Sequence, residues 1–173
     1  MRKQVPLPTV SDRAALLTER RNIKMAKSAH AYVRGSTSKF YEWLDTASKA
    51  KLPEGPAIWI CGDCHIGNLG PVSDIDGKVS FQIRDFDQTV IGNPAHDLIR
   101  LALSLAFAAR GSNLPGIMTV HMMQALLEGY AAEFVPGDET EVEVPLIVRK
   151  AMKRARCRTW KHLARERIAD ISP

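Results

Sequence analysis

One hairpin signal, set in a chain otherwise patterned for helices, limits the folds open to this sequence. Val79, Phe81 and Ile83 alternate with Ser80, Gln82 and Arg84, the period of a half-buried strand. Just before them, Asp74-Ile75-Asp76-Gly77 supplies a turn that would pair this strand with a short one around Leu69 to Val72. Ala57-Ile58-Trp59-Ile60, after the breaker-rich LPEGP, reads as another strand. The expected fold class is α+β and helix-rich, with helices around one small hairpin.

The helical signals are local and physical. Ser11 and Asp12 precede AALLTERRNIKMAKSAHAYV, whose apolar residues recur at helical spacing, and Ser28 is placed to cap a second helix. After RGSTSK, the block Lys39 to Leu44 carries Phe40, Tyr41, Trp43 and Leu44. Asn93 and Pro94 suit an N-cap and a first helical residue, and that helix should end at Arg110-Gly111. Leu98, Leu101, Leu105 and Ala109, broadened by Ile99, Ala102 and Ala106, form its expected inner stripe. A further helix is expected from Pro115 to Phe134, with Met118, Met122 and Met123 read as core packing, and a basic helix after Pro145. Residues 136–145, PGDETEVEVP, form the one expected linker, and there is no internal repeat.

With 173 residues, 45% of them hydrophobic, the chain can bury a core without disulfide or metal staples, so one domain over 1–173 is expected. Within it stand a helical segment 1–56, a segment of strands and polar loops with its following helix at 57–110, and a helical segment 115–173. The longest apolar stretch, Leu98 to Ala109, is interrupted by Arg100 and Ser104 and is too short to span a bilayer. The opening MRKQVPLPTVSD has no apolar core of a secretory signal, so a cytoplasmic protein with no membrane partner is expected. The net charge is +5, and from Arg149 to Arg167 nine cations are opposed only by Glu166. That field favours anionic partners, a nucleotide or a nucleic acid, although a solvated helix face has the same composition.

Polar chemistry crowds into WICGDCHIGNLG and QIRDFDQTVIGNPAHDL. Asp63 follows a strand, Asn68 comes five residues later, and the hairpin should return Asp85 to the same edge. Mg²⁺ prefers hard oxygen ligands, a few from the protein and the rest from phosphate and water, so Asn68 and Asp85 suit it. Asp63 would then be left to accept a proton from an attacking hydroxyl. Asp87 reads either as a further metal ligand or as an exposed neighbour, and His65 as a residue that fixes its loop.

These stretches resemble the catalytic and metal-binding loops of the protein-kinase-like phosphotransferases, most closely the aminoglycoside and choline kinase branch. The residues that carry the resemblance are Cys61-Gly62-Asp63-Cys64-His65-Ile66-Gly67-Asn68, Arg84-Asp85-Phe86-Asp87 and Gly92-Asn93-Pro94-Ala95-His96-Asp97-Leu98. Over nearly its whole length the chain is also similar to the bacterial domain-of-unknown-function 2252 family, in KMAKSAHAYVRGSTSKFYEWL and GDCHIGNLG. The resemblance implies a kinase-like catalytic lobe using ATP and Mg²⁺ on a small-molecule hydroxyl. It implies Asp63 as catalytic base, Asn68 and Asp85 as metal ligands, and Asp97 as a helix residue that accepts the catalytic loop's backbone N–H groups. Members of that family are generally longer, which implies a truncated member here. A nucleotide-binding module without turnover, and a nucleic-acid-binding protein using the basic helix, are the alternatives.

The departures are specific. Cys61 stands where that branch has His, Asp87 where kinases have the Gly of D-F-G, and no Gly-rich phosphate loop precedes the catalytic segment. The nucleotide lobe is therefore absent or rearranged. Arg34-Gly35-Ser36-Thr37-Ser38-Lys39 is a local substitute: a helix starting near Thr37, with Arg34 and Lys39, could hold phosphates. Cys61, Cys64 and His65 also fit C-x-x-C-H, the pattern of haem attachment, redox pairs and zinc sites, but reduced structural thiols explain them more simply.

Overall fold

Asparagine and proline start the longest helix among the described residues. The structure, a computed structural model, describes residues 9–135 and 145–171, so the linker expected at 136–145 lies, but for Pro145, outside the described residues. In chain order the elements are α1 (Val10–Met25), α2 (Ala29–Gly35), α3 (Thr37–Lys51), β1 (Ile58–Ile60), β2 (Leu69–Ser73), β3 (Val79–Ile83), β4 (Val90–Gly92), α4 (Pro94–Gly111), α5 (Gly116–Ala132), α6 (Leu146–Arg156) and α7 (Trp160–Ile171). The class is α+β and helix-rich. No described helix is long and apolar enough to cross a membrane.

The chain divides into two compact units. One holds the described residues up to Ile66 together with Phe86–Glu133; the other holds Gly67–Asp85 and the described residues from Phe134 onward.

In the first unit, Ser28 caps α2 by accepting from Ala31 N at 3.0 Å. Asn93 caps α4 in the same way, accepting from Ala95 N at 2.9 Å, and its Nδ2 donates to Pro53 O at 2.8 Å. β1 pairs antiparallel with β4, Trp59 opposite Ile91. β4 carries only three residues and was not anticipated: at that length alternation gives no usable period. The buried apolar residues are Val33, Phe40, Leu44, Ile60, Cys61, Cys64 and Ala109.

Two expectations about packing are corrected. On α4 the polar Arg100 and Ser104, 2% and 0% exposed, are buried along with Ala109 of the expected stripe, whereas Leu98, Leu101 and Leu105 are half-buried. Nor does α5 have any buried residue: Met118 is exposed, and Met122 and Met123 are half-buried. Met123 instead borders a small apolar cleft of about 130 Å³ with Leu98, Ile99 and Leu127, between α4 and α5.

In the second unit, β2 and β3 form the expected hairpin, Leu69 opposite Ile83 and Ser73 opposite Val79. Asp74 Oδ1 accepts from Asp76 N at 3.1 Å and Lys78 N at 2.7 Å, which fixes the turn, and Gly77 takes φ +77°. α6 lies against this hairpin with Val148, Ala151, Met152 and Ala155 half-buried at helical spacing. The basic run is not one helix. It breaks after Arg156, and α7 restarts where His162 N donates to Thr159 O at 2.9 Å.

Candidate functional site

A buried loop must find acceptors for its N–H groups, and the loop from Cys61 to Ile66 finds them on α4. Asp97, Arg100 and Ser104 stand at i, i+3 and i+7, so at 3.6 residues per turn they fall within about 60° of one another on the helix surface. The loop follows this stripe in order. Cys61 N and Gly62 N donate to Asp97 Oδ2 and Oδ1 at 2.6 and 3.0 Å. Arg100 Nε donates to Asp63 Oδ1 at 2.6 Å, and Nη2 of the same guanidinium pairs with that oxygen. Ile66 N donates to Ser104 Oγ at 2.9 Å. Tyr41 OH adds a bond to Gly62 O at 2.8 Å.

Asp63 is the centre of a buried ionic cluster. It is 7% exposed, and Oδ1 also accepts from Thr37 Oγ1 at 3.1 Å. Arg100 Nη2 reaches Thr37 Oγ1 at 2.7 Å and Val33 O at 3.0 Å, and the guanidinium lies 5.2 Å from the centroid of the Phe40 ring. Burial of such a pair costs desolvation that only good geometry and further hydrogen bonds offset, and this guanidinium has both. Oδ2 of Asp63 faces His65 Nε2 at 3.6 Å, beyond a hydrogen bond.

His65 is 3% exposed and its Nδ1 is buried without a partner among the described residues. Burial lowers its pKa below 6.5; Asp63 opposes the shift, while Arg34, Arg100 and His30 reinforce it. A group depressed in the folded state contributes stability above its unfolded pKa and loses it as pH falls. Acidification from pH 7 towards 5 should therefore lower the melting temperature, and His65→Gln should flatten that dependence. An equal slope in the variant would remove His65 as the cause. Asp97 has the opposite sign: burial raises its carboxyl above 3.8 against the two N–H donors, so its contribution grows as pH falls through the raised value.

The remaining sequence candidates fall as follows. Asn68, buried, directly precedes β2, and its carbonyl accepts from Arg84 N at 2.8 Å. Asp85 is the next residue, so the open end of the hairpin carries an amide on one strand and a carboxylate on the other. Arg84 Nη2 donates to Gly67 O at 2.9 Å, beside Gly70. Asp87, exposed, belongs to the first unit. Arg34 is exposed on α2, and Lys39 is exposed on α3, where its ammonium pairs with Glu42 at 2.6 Å. Among the described residues, no three His, Cys, Asp or Glu side chains gather as a metal site. Cys61 and Cys64 form no disulfide, and burial pushes the Cys64 thiol up to about 12, which suits a structural thiol and not a nucleophile or ligand.

Arg100, Ser104 and Tyr41 were not identified from the sequence, and Thr37 reads there only as the start of a phosphate-holding helix, not as a partner of Asp63. For the first two a signal existed: Asp97, Arg100 and Ser104 repeat at helical spacing inside an apolar run, which marks a polar stripe.

Fold and site together define a helix-rich α+β protein in which one helix holds an acidic loop through a line of polar side chains. The family model described as "Uncharacterized protein conserved in bacteria (DUF2252)" matches residues 13–170, and the chain belongs to that family. No curated protein and no solved structure matches it.

Proposed function

We propose that this protein is a kinase-like phosphotransferase that moves a phosphoryl group from ATP to a small-molecule hydroxyl with Mg²⁺. The observation that supports the reading most is the pair of hydrogen bonds from Cys61 N and Gly62 N to Asp97. An aspartate on the helix after the metal loop, gripping the backbone just before the base, is the arrangement the kinase resemblance implies.

The donor set suits the ion. Asn68 and Asp85 are hard oxygen donors on adjoining strand ends, and Mg²⁺ takes only one or two such groups alongside phosphate and water. Bound Mg²⁺ would neutralise charge on the phosphates. Asp63 would accept the acceptor's proton, held in place by its bonds from Arg100 and Thr37. The reading does not rest on Arg34, Lys39 or Asp87.

The burial of Asp63 favours a second reading, a module that binds nucleotide without turnover. Titration of ATP into the full chain, with Mg²⁺ and with EDTA, separates them. Binding should require Mg²⁺, and Asp85→Ala should weaken it about tenfold or more, the scale of a lost charge-assisted contact. Asp63→Asn keeps an oxygen to accept from Arg100 but strands its charge, so it is assayed below its own melting temperature; there it should keep nucleotide binding and, where an acceptor is turned over, slow turnover about a hundredfold, the lower end for general-base catalysis. Metal-independent binding, or none, defeats the reading; binding with no phosphate release leaves the second one.

A further inference from the structure

We propose that the groove between α2, α3 and α4 is a binding site for a small apolar monoanion, an aryl-substituted short-chain carboxylate. The proposal is independent of phosphoryl transfer.

The groove has a volume of about 330 Å³, within the range of small-molecule sites. Tyr32, Phe40, Trp43 and Phe107 give it aromatic walls. Tyr32 and Trp43 are half exposed, so an apolar body entering here covers ring faces that water now meets. The polar groups lie where α3 begins, and none of the residues lining the groove is a carboxylate.

Ser36 holds the N-cap position of α3, is buried to more than nine-tenths, and lines the groove. Its hydroxyl makes no capping hydrogen bond, although capping is the ordinary use of serine there. Ser36 also ends α2, whose carbonyl end offsets the positive start of α3, so the preference for a negative head comes from Lys39. Lys39 stands one turn on at the rim. Its pairing with Glu42 is a solvent-exposed i,i+3 contact, weak enough for an incoming carboxylate to recruit the ammonium. Arg100 also borders the groove, but Asp63 already balances its charge. A hydroxyl without a capping partner and one recruitable cation, beside an apolar chamber with no lining carboxylate, match a ligand with a single anionic head.

The test titrates 4-phenylbutyrate, 4-phenylbutan-1-ol and 4-phenylbutylamine into the full chain, read by ligand-observed NMR. The carboxylate should bind at least about tenfold tighter than the alcohol, the discrimination one charge-assisted hydrogen bond supplies, and tighter still than the amine. Leu103→Trp, which fills the groove, should abolish binding of all three. Lys39→Gln, a surface change that leaves the core untouched, should erase most of the preference for the carboxylate and decides the matter if the tryptophan variant misfolds. Saturating MgATP should not displace 4-phenylbutyrate. Equal affinity for acid and alcohol, an unaltered preference in Lys39→Gln, or no binding at millimolar concentration overturns the proposal. Displacement by MgATP does so too, by making the groove part of a nucleotide site.

Discussion

Replacing Arg100 with methionine is expected to destabilise the protein by about 3–5 kcal/mol, the usual penalty for stranding one partner of a buried ion pair. Methionine fills much of the aliphatic volume and keeps contact with Phe40, so the loss comes mainly from polar groups. The Asp63 carboxylate loses the guanidinium that neutralises it, and the Val33 carbonyl loses its bond from the same group. Against a total stability of about 5–15 kcal/mol, this places the variant near the edge of folding. Urea midpoints measure the loss. A companion, Asp63→Leu with Arg100→Met, removes both charges, and replacing a whole buried pair by apolar residues is often close to neutral. The double variant should therefore recover much of the midpoint lost by the single one. If the two unfold at the same urea concentration, the stranded carboxylate is not the source of the cost. Arg100→Lys is expected to fall between, since an ammonium keeps the charge but cannot reach Asp63, Thr37 and Val33 together as the planar fork does.

The same residue shows where the sequence was legible and where it was not. Signals that act within a few residues read correctly: Ser28 and Asn93 cap α2 and α4, and Asp74-Ile75-Asp76-Gly77 turns the β2–β3 hairpin. Such features need no partner from elsewhere in the chain. Arg100 and Ser104 looked like interruptions of an apolar helix because hydropathy scores a side chain without its neighbours. Their partners, Asp63 and Ile66 N, lie 37 and 38 residues earlier. The break between α6 and α7 was missed for a related reason: a run of basic residues has a strong composition, which hides the modest capping signal of Thr159. At the candidate site the resemblance implied that Asp97 accepts from the loop's backbone, and its two bonds from Cys61 N and Gly62 N are there. The rest of the scaffold was not legible, since it consists of long-range bonds that leave only a faint helical period in the text.

Substituting alanine for Gly62 is the sharpest test of how tightly that scaffold holds the loop. Gly62 sits at φ +76°, where a side chain costs about 1–2 kcal/mol. A Cβ there would also stand 2.2 Å from the Gln88 carbonyl oxygen, a backbone atom that cannot swing aside as a side-chain tip can. Overpacking of this kind adds about 1–3 kcal/mol, so the expected total is about 2–5 kcal/mol. Gly77 is the matched control, with φ +77° and no atom within 4 Å of its would-be Cβ. Gly77→Ala should show the backbone cost alone, and the difference in urea midpoint between the two variants isolates the clash. Equal losses would mean that the segment carrying Gln88 gives way freely. Relief of the clash requires either that segment or the loop to shift, and the loop is held at Cys61 N and Gly62 N by Asp97, with Gly62 O held by Tyr41. The clash thus works against Asp97's two bonds, so in Gly62→Ala the amide protons of Cys61 and Gly62 should exchange faster with solvent than those of β1, well below the denaturation range.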